Sequence, residues 1–279
     1  MRAIDEFAPK TIEFDNREKY TLSIGLGPGG FCFTISSLSA GLHLGLWSYS
    51  VNNADDIDEC IAITKQAAVH FNQVVCSIDT DCWCVLPEGY AEPDNIGSIM
   101  SLNFGNDLFG PEKNKLYTAK RNGIECVYAA DENVISKLTA AYPEIKITSE
   151  QFAALCHHQK KSIVTKEQIV VADLHNDKTD IYAIDEGKII MANRFDTKEE
   201  SDLTYHILNI YNKLGLDQQK TVLYISGQSA HWKTAEQVIK KYIRKIKEVG
   251  IDKDCLQKNL SALASSTKYY NLLTLTSCE

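Results

Sequence analysis

A shift of 148 residues lays one part of this chain on another without a gap, and few folds are compatible with that constraint. Leu22 falls on Val170, Gly25 on Asp173, Phe33 on Ile181 and Val74 on Val222. In the second copy, residues 168–195, apolar runs at 170–172, 181–184 and 189–192 are separated by the tips His175-Asn176-Asp177-Lys178 and Asp185-Glu186-Gly187. Short apolar runs between turn-forming residues predict three adjacent antiparallel strands. In each copy the strands lead to an amphipathic helix, over 55–71 and 199–214, and then to a buried strand beginning at Val74 or Val222. The first helix places Ile57, Cys60, Ile61, Thr64, Ala68 and Phe71 on one face, and the second places Leu203, Ile207, Ile210, Tyr211 and Leu214 inward. Strand, strand, strand, helix, strand at a constant offset reads as internal duplication. The expected class is α/β with mixed sheets, built as two related lobes.

A chain of 279 residues, 44% hydrophobic and 24% charged, is long enough for a sizeable core and for one or two domains. The expected division is a first lobe over 1–165, including a strand-rich middle region at about 86–161, and a second lobe over 166–279, with 160–166 as linker. In the middle region the sequence predicts a loop at 87–95, a helix at 96–102, a hairpin turning at Asn122-Gly123, and helices at 132–141 and 149–158. No basic start is followed by an apolar core, and no run of about 18 apolar residues occurs, so neither a signal peptide nor membrane insertion is expected. The expected location is cytoplasmic. Cys32, Cys60, Cys76, Cys126 and Cys156 lie within apolar patterns and read as reduced core residues. A formal net charge of −8 argues against nucleic acid as a partner.

Several motifs could carry chemistry. Gly25-Leu26-Gly27-Pro28-Gly29-Gly30 has the spacing of a dinucleotide fingerprint, yet Phe31, Phe33 and Ile35 then alternate with polar or small residues. A fingerprint needs a helix at that point, so a glycine-rich hairpin tip is expected instead. Cys82-Trp83-Cys84 and His157-His158 lack the spacing of a structural zinc site, and no metal is expected there. Cys82 and Cys84 read as one face of a strand, and His157 and His158 as a solvated helix end. The basic run 233–249 reads as a helix with Ile239, Tyr242, Ile243 and Ile246 inward. No serine-hydrolase elbow or Walker loop occurs.

The duplicated strand pattern with a tip in each copy resembles the actin-like ATPase superfamily, of duplicated RNase H-like fold, which includes actin, the Hsp70 chaperones, sugar kinases, FtsA and PilM. The resemblance covers most of the chain. The second phosphate hairpin of that superfamily resembles DIGGGTTDIAV, and here the residues read DLHNDKTDIYA. Asp173 and Leu174 match, Thr179, Asp180 and Ile181 match, and His175, Asn176 and Asp177 stand in place of three glycines. The first hairpin of the superfamily begins with an Asp, where Gly25 stands here. A glycine pair that contacts adenosine is represented by Ser226, Gly227, Gln228 and Ser229. The chain looks closest to FtsA and PilM, and closer still to an uncharacterised bacterial family of actin-like ATPase fold.

The resemblance implies two hairpins facing a nucleotide, with Gly25, Gly27, Gly29, Gly30, Asp173, His175, Asn176, Lys178, Ser226 and Gly227 as the positions that would meet it. Side chains at His175 and Asn176 take space that glycines leave for phosphate, and Asp177 adds a negative charge. One like-charge contact at about 4 Å and an effective dielectric near 20 costs on the order of 4 kcal/mol. The expectation is a pseudoenzyme with no catalytic residues, no metal and no resident cofactor. It would bind ATP and Mg²⁺ weakly if at all, and act as an interaction or scaffold module. The resemblance to FtsA and PilM implies a protein or peptide partner at the inner face of the membrane. The alternative is an active small ATP-dependent phosphotransferase or ATPase in which Asp173 or Asp180 holds the metal and Lys178 holds phosphate. A nucleic-acid-associated protein using clustered Asp residues is a third reading.

Overall fold

The computed structural model describes residues 3–8, 14, 19–28, 30–51, 56–66, 70–105 and 114–278. The chain divides into two compact units, Met1–Ala153 with Ile251–Ala264 and Leu272–Glu279, and Ala154–Gly250 with Ser265–Asn271. The first unit contains β1 (Ala3–Phe7), β2 (Tyr20–Gly27), β3 (Gly30–Ser37), β4 (Leu42–Tyr49), α1 (Asp56–Lys65) and β5 (Phe71–Ile78). There follow β6 (Trp83–Pro87), α2 (Pro93–Phe104), β7 (Asn114–Arg121), β8 (Ile124–Asp131), α3 (Glu132–Ala141) and β9 (Lys146–Ser149). After α4 (Glu150–Thr165) come β10 (Gln168–Leu174), β11 (Lys178–Asp185), β12 (Lys188–Asp196), α5 (Glu200–Lys213), β13 (Val222–Gly227), α6 (Trp232–Ile239) and β14 (Ile246–Glu248), and near the C-terminus α7 (Tyr270–Thr274).

The duplication is present in the sheet topology. The first unit's large sheet has the order β1-β4-β3-β2-β5-β9 and the second unit's sheet β12-β11-β10-β13-β14. In each, three consecutive antiparallel strands, joined in the first sheet by β1 on β4, lead through a helical crossover to two parallel ones. The central strands β2 and β10 are buried almost throughout, the pattern of a sheet covered on both faces. Leu22, Ile24, Val74 and Cys76 share one core with Ile57, Cys60 and Ile61 of α1. Val170, Ala172, Leu223 and Ile225 share the other with Leu203, Ile207 and Tyr211 of α5.

The correspondence extends to irregularities. Leu44 is skipped in the β3–β4 ladder, between Ile35↔Gly45 and Ser36↔His43, and Ile190 is skipped at the matching point of β11–β12. The gapless shift fails in β4, where the ladders place Gly45 on Met191, and again in β5. Leu22 pairs with Val74 but Val170 pairs with Leu223, so Val74 corresponds to Leu223 and not to Val222. The stretch from β2 to β5 is therefore one residue shorter than that from β10 to β13, and an unbroken shift would have turned the strand's core side chains to its other face. Phe71, expected on the helix, opens β5. Ala68 lies outside the described residues.

The middle region forms a third sheet, β6-β8-β7, covered by α2, with Cys82, Met100, Val127 and Ala129 in its core and Cys84 packed against them. Asn122 and Gly123 both have positive φ, 51° and 78°, as a two-residue hairpin turn requires. Three expectations need correction. Ser149 Oγ accepts from Phe152 N at 3.1 Å, as an N-cap should, but α4 continues through the expected linker to Thr165. His157 and His158 are therefore not at a solvated end. His158 is fully buried, and His157 Nε2 is 2.8 Å from the Tyr270 hydroxyl. The basic helix stops at Ile239, and Ile246 pairs with Leu223 as part of the fifth strand. A continued helix would stack Lys240 on Arg244 and Lys241 on Lys245, like charges one turn apart, which the turn over 240–245 avoids. Among the described residues no helix is long and apolar enough to cross a membrane.

Candidate functional site

The second unit's sheet carries a polar row across four strands, because paired residues face the same side. Arg194 of β12 lies opposite Asp180 of β11, Asp180 opposite Asp173 of β10, and Asp173 opposite Ser226 of β13. Asp180 has no exposed side-chain surface. Its Oδ1 accepts from Arg194 Nε at 2.8 Å, and its Oδ2 accepts from Arg194 Nη2 at 2.7 Å, a bidentate pair. His175 Nε2 is 2.9 Å from the same Oδ2, so the tautomer that serves the carboxylate carries its proton on Nε2. Arg194 Nη2, 3.3 Å from that nitrogen, is then a neighbour and not a donor to it. Burial pushes the Asp180 carboxyl up, but the hydrogen bonds from Arg194 and His175 outweigh it and hold the group below its ordinary range.

Asp173 is in the opposite condition. Its Oδ2 accepts from Asn271 Nδ2 at 2.6 Å, while its Oδ1 is buried with no hydrogen-bond partner among the described residues. Burial pushes its carboxyl above the ordinary range. The charge on His175 pulls it down, and Asp180 pushes it further up. At neutral pH Asp173 therefore costs stability. Asp173→Asn, which keeps the acceptor for Asn271 and removes the charge, is expected to raise stability at pH 7. A thermal melt at that pH checks the sign.

Asn176 and Asp177 are exposed at the tip, and Lys178 opens β11 opposite Asp196. The tip is closed by its own backbone, His175 N donating to Lys178 O at 2.9 Å and Thr197 N to Asp177 O at 2.7 Å. Gly227 has φ 70°, and a Cβ there would lie 2.0 Å from Leu174 O, so its glycine is required by the crossing of β13 past β10. Ser226 Oγ is 3.5 Å from Asn271 Oδ1. Asp173, His175, Ser226 and Gly227 are thus gathered at one end of this sheet. Arg194 and Asn271, which the sequence reading did not include, hold its two acids.

In the first unit the corresponding row, Ser48, Cys32, Gly25 and Ser77, carries no formal charge at neutral pH. A Cβ on Gly25 would lie 2.8 Å from Cys32 Sγ, one on Gly27 2.7 Å from Asp79 Cβ, and one on Gly30, at φ 112°, 2.1 Å from Tyr49 O. Close packing accounts for these three glycines. Gly29 lies outside the described residues. Asp79 N donates to Leu26 O at 2.7 Å, just as Gln228 N donates to Leu174 O at 2.9 Å in the other copy. This brings an acid beside the first tip that the motif comparison missed, and its Oδ1 accepts from Gln151 Nε2 at 2.6 Å.

A family model described as "Protein of unknown function (DUF3822)" matches residues 9–246. The chain belongs to the DUF3822 family. No curated protein matches it. Among solved structures, this DUF3822 chain is similar to a protein of unknown function with an actin-like ATPase fold from Bacteroides thetaiotaomicron VPI-5482. The identity is 19%, the match covers 91% of this chain and 98% of that one, and the TM-score is 0.73. It is also similar to PilM in the PilM-PilN type IV pilus biogenesis complex, at 10% identity, covering 91% of this chain and 96% of that one with a TM-score of 0.59. The DUF3822 chain has the actin-like ATPase fold.

That fold implies Mg-ATP, and the second hairpin does not fit it. Asp173, His175 and Asp180 bring ligand atoms within 4.8 Å of one another, the spacing of a metal site. However, both Asp180 oxygens are already engaged by a guanidinium, which also repels a second cation, and burial disfavours the charged form of Asp173. The His175 amide that could meet a phosphate is closed onto Lys178.

Proposed function

We propose that this DUF3822 protein is a non-catalytic member of the actin-like fold that acts as an interaction or scaffold module, with at most weak affinity for nucleotide. The observation that carries this reading is the bidentate Arg194–Asp180 pair, sealed in the sheet beside His175. A fixed internal cation occupies the carboxylate that a divalent metal would need, and removing it would strand a buried charge. The side chains of His175, Asn176 and Asp177 in place of glycines support the same reading. The proposed partner is a protein or peptide at the inner face of the membrane, a reading supported by the likeness to PilM, which was solved in complex with PilN. Nucleic acid does not suit a chain with a formal net charge of −8.

The test is phosphate release from Mg-ATP by the wild type and by Asp173→Asn. Equal release at the background of a protein-free control is expected. Turnover in the wild type that Asp173→Asn abolishes, without loss of fold, would favour an active phosphotransferase or ATPase.

A further inference from the structure

Two lysines share one aromatic ring in the second unit. Tyr224 of β13 lies opposite Lys247 of β14, so their side chains stand on the same side of the sheet, and α4 brings Lys161 to that ring. Lys161 Nζ is 3.8 Å from the centroid of the Tyr224 ring, and Lys247 Nζ is 5.9 Å from it. The ring attracts each cation at this range, but it does not cancel the repulsion between them. Among the described residues neither ammonium has an ion-pair partner. Half-burial of Lys161 and the charge of Lys247 push its pKa below the ordinary value, and Glu167 offsets only part of this. Glu248, next along β14, pairs with Ile225 and faces the other side of the sheet. The surroundings add to the charge. Residues 240–247 carry Lys240, Lys241, Arg244, Lys245 and Lys247 and no acid, in a chain of formal net charge −8, and among the described residues only Lys240 of the five is ion-paired, with Glu236.

We propose that Lys161, Lys247 and Tyr224 form a binding site for a phosphate group. Two compact ammonium charges suit a dianion, which inorganic phosphate or a phosphate monoester supplies near neutral pH and a single carboxylate does not. The Tyr224 hydroxyl makes no hydrogen bond with a described residue and is the third donor. The half-buried stem of Lys161 already holds its ammonium over the ring, so little side-chain freedom is lost when the anion arrives. The site is separate from the second hairpin. Across β13 from Lys247, Tyr224 lies opposite the apolar Val171 and not opposite Asp173. An anion placed between the two lysines removes their repulsion, so binding and stability are coupled.

The probe is inorganic phosphate at pH 7, added to the full chain and compared with chloride at equal ionic strength. A Kd of about 5 mM is expected, which raises the melting temperature by about 3 °C at roughly 50 mM phosphate. Lys247→Gln should remove most of that rise. Lys245→Gln, which removes a neighbouring charge of the same sign, should keep most of it. No rise beyond chloride in the wild type, an equal rise in Lys247→Gln, or an equal loss in both variants would each overturn the proposal. Vesicles of phosphatidylcholine with and without phosphatidic acid then separate two sources of the phosphate, since Val164, 75% exposed, lies beside Lys160 and Lys161 on the surface of α4. Sedimentation with the phosphatidic acid vesicles alone, lost in Lys247→Gln, identifies a lipid headgroup. The melting response without sedimentation identifies a soluble phosphate compound, and the site stands in both cases. Turnover of Mg-ATP would overturn the proposed function and leave this site standing.

Discussion

Arg194→Leu is expected to cost about 3 to 5 kcal/mol of folding stability, because it leaves the carboxylate of Asp180 buried without its cation. For a chain of this size that is a fall of roughly 10 °C in melting temperature. His175 cannot compensate alone, since it offers Asp180 one hydrogen bond where Arg194 offers two. The double variant Asp180→Leu with Arg194→Leu removes both charges, and most of the loss should return, because a buried ion pair can be replaced by apolar side chains at little cost. Denaturant melts of the two single variants and the double variant measure this coupling. If Arg194→Leu alone is silent, the pair is not a structural counter-ion. If the double variant stays as unstable as the single, leucines at the two positions do not pack and the pair is needed for more than its charge.

A second large effect is expected on acidification. Burial lowers the pKa of His43 from 6.5 to about 4, partly offset by a hydrogen bond with the backbone of Leu273. Burial and the nearby Lys161 and Lys160 lower His157 to about 4 as well. The unfolded chain takes up these protons near pH 6.5 and the folded chain does not, so stability falls as pH drops from 6.5 and the loss is complete near pH 4. Each group accounts for about 3 kcal/mol. His157, the more exposed of the two, contributes the smaller share. Burial also holds His158 well below its ordinary value, adding in the same direction. Asp180, whose carboxyl lies below its ordinary range when folded, adds its loss only at still lower pH, while Asp173, raised on folding, works in the opposite sense. Urea melts at pH 7, 5.5 and 4 should show the fall, and His43→Gln should flatten part of it.

The sequence disclosed the strands well and the ion pair poorly, for physical reasons. Period-two runs between turn residues marked the hairpins, and the Asn122-Gly123 turn appeared where its positive φ values were required. The basic segment after Lys233 misled because Ile239, Ile243 and Ile246 fit a helical period, while the pairing of Ile246 with Leu223 is a long-range fact. Arg194 was hidden by the bulge. Counting back from the Glu186-Gly187 turn in regular register puts Asn193 opposite Asp180, and skipping Ile190 brings Arg194 there instead. Asn271, 98 residues from Asp173, has no local signal at all. The glycines of the first tip were legible as close-approach residues, but what approaches Gly25, Gly27 and Gly30 in the structure is Cys32, Asp79 and Tyr49.

The central claim is that an internal ion pair stands where the fold's metal and nucleotide would be held. Calorimetric titration of the full chain with Mg-ATP tests it most directly. No saturable heat is expected below about 1 mM, and no shift in melting temperature at that concentration. Micromolar binding that requires Mg²⁺ and is lost in Asp173→Asn would contradict it.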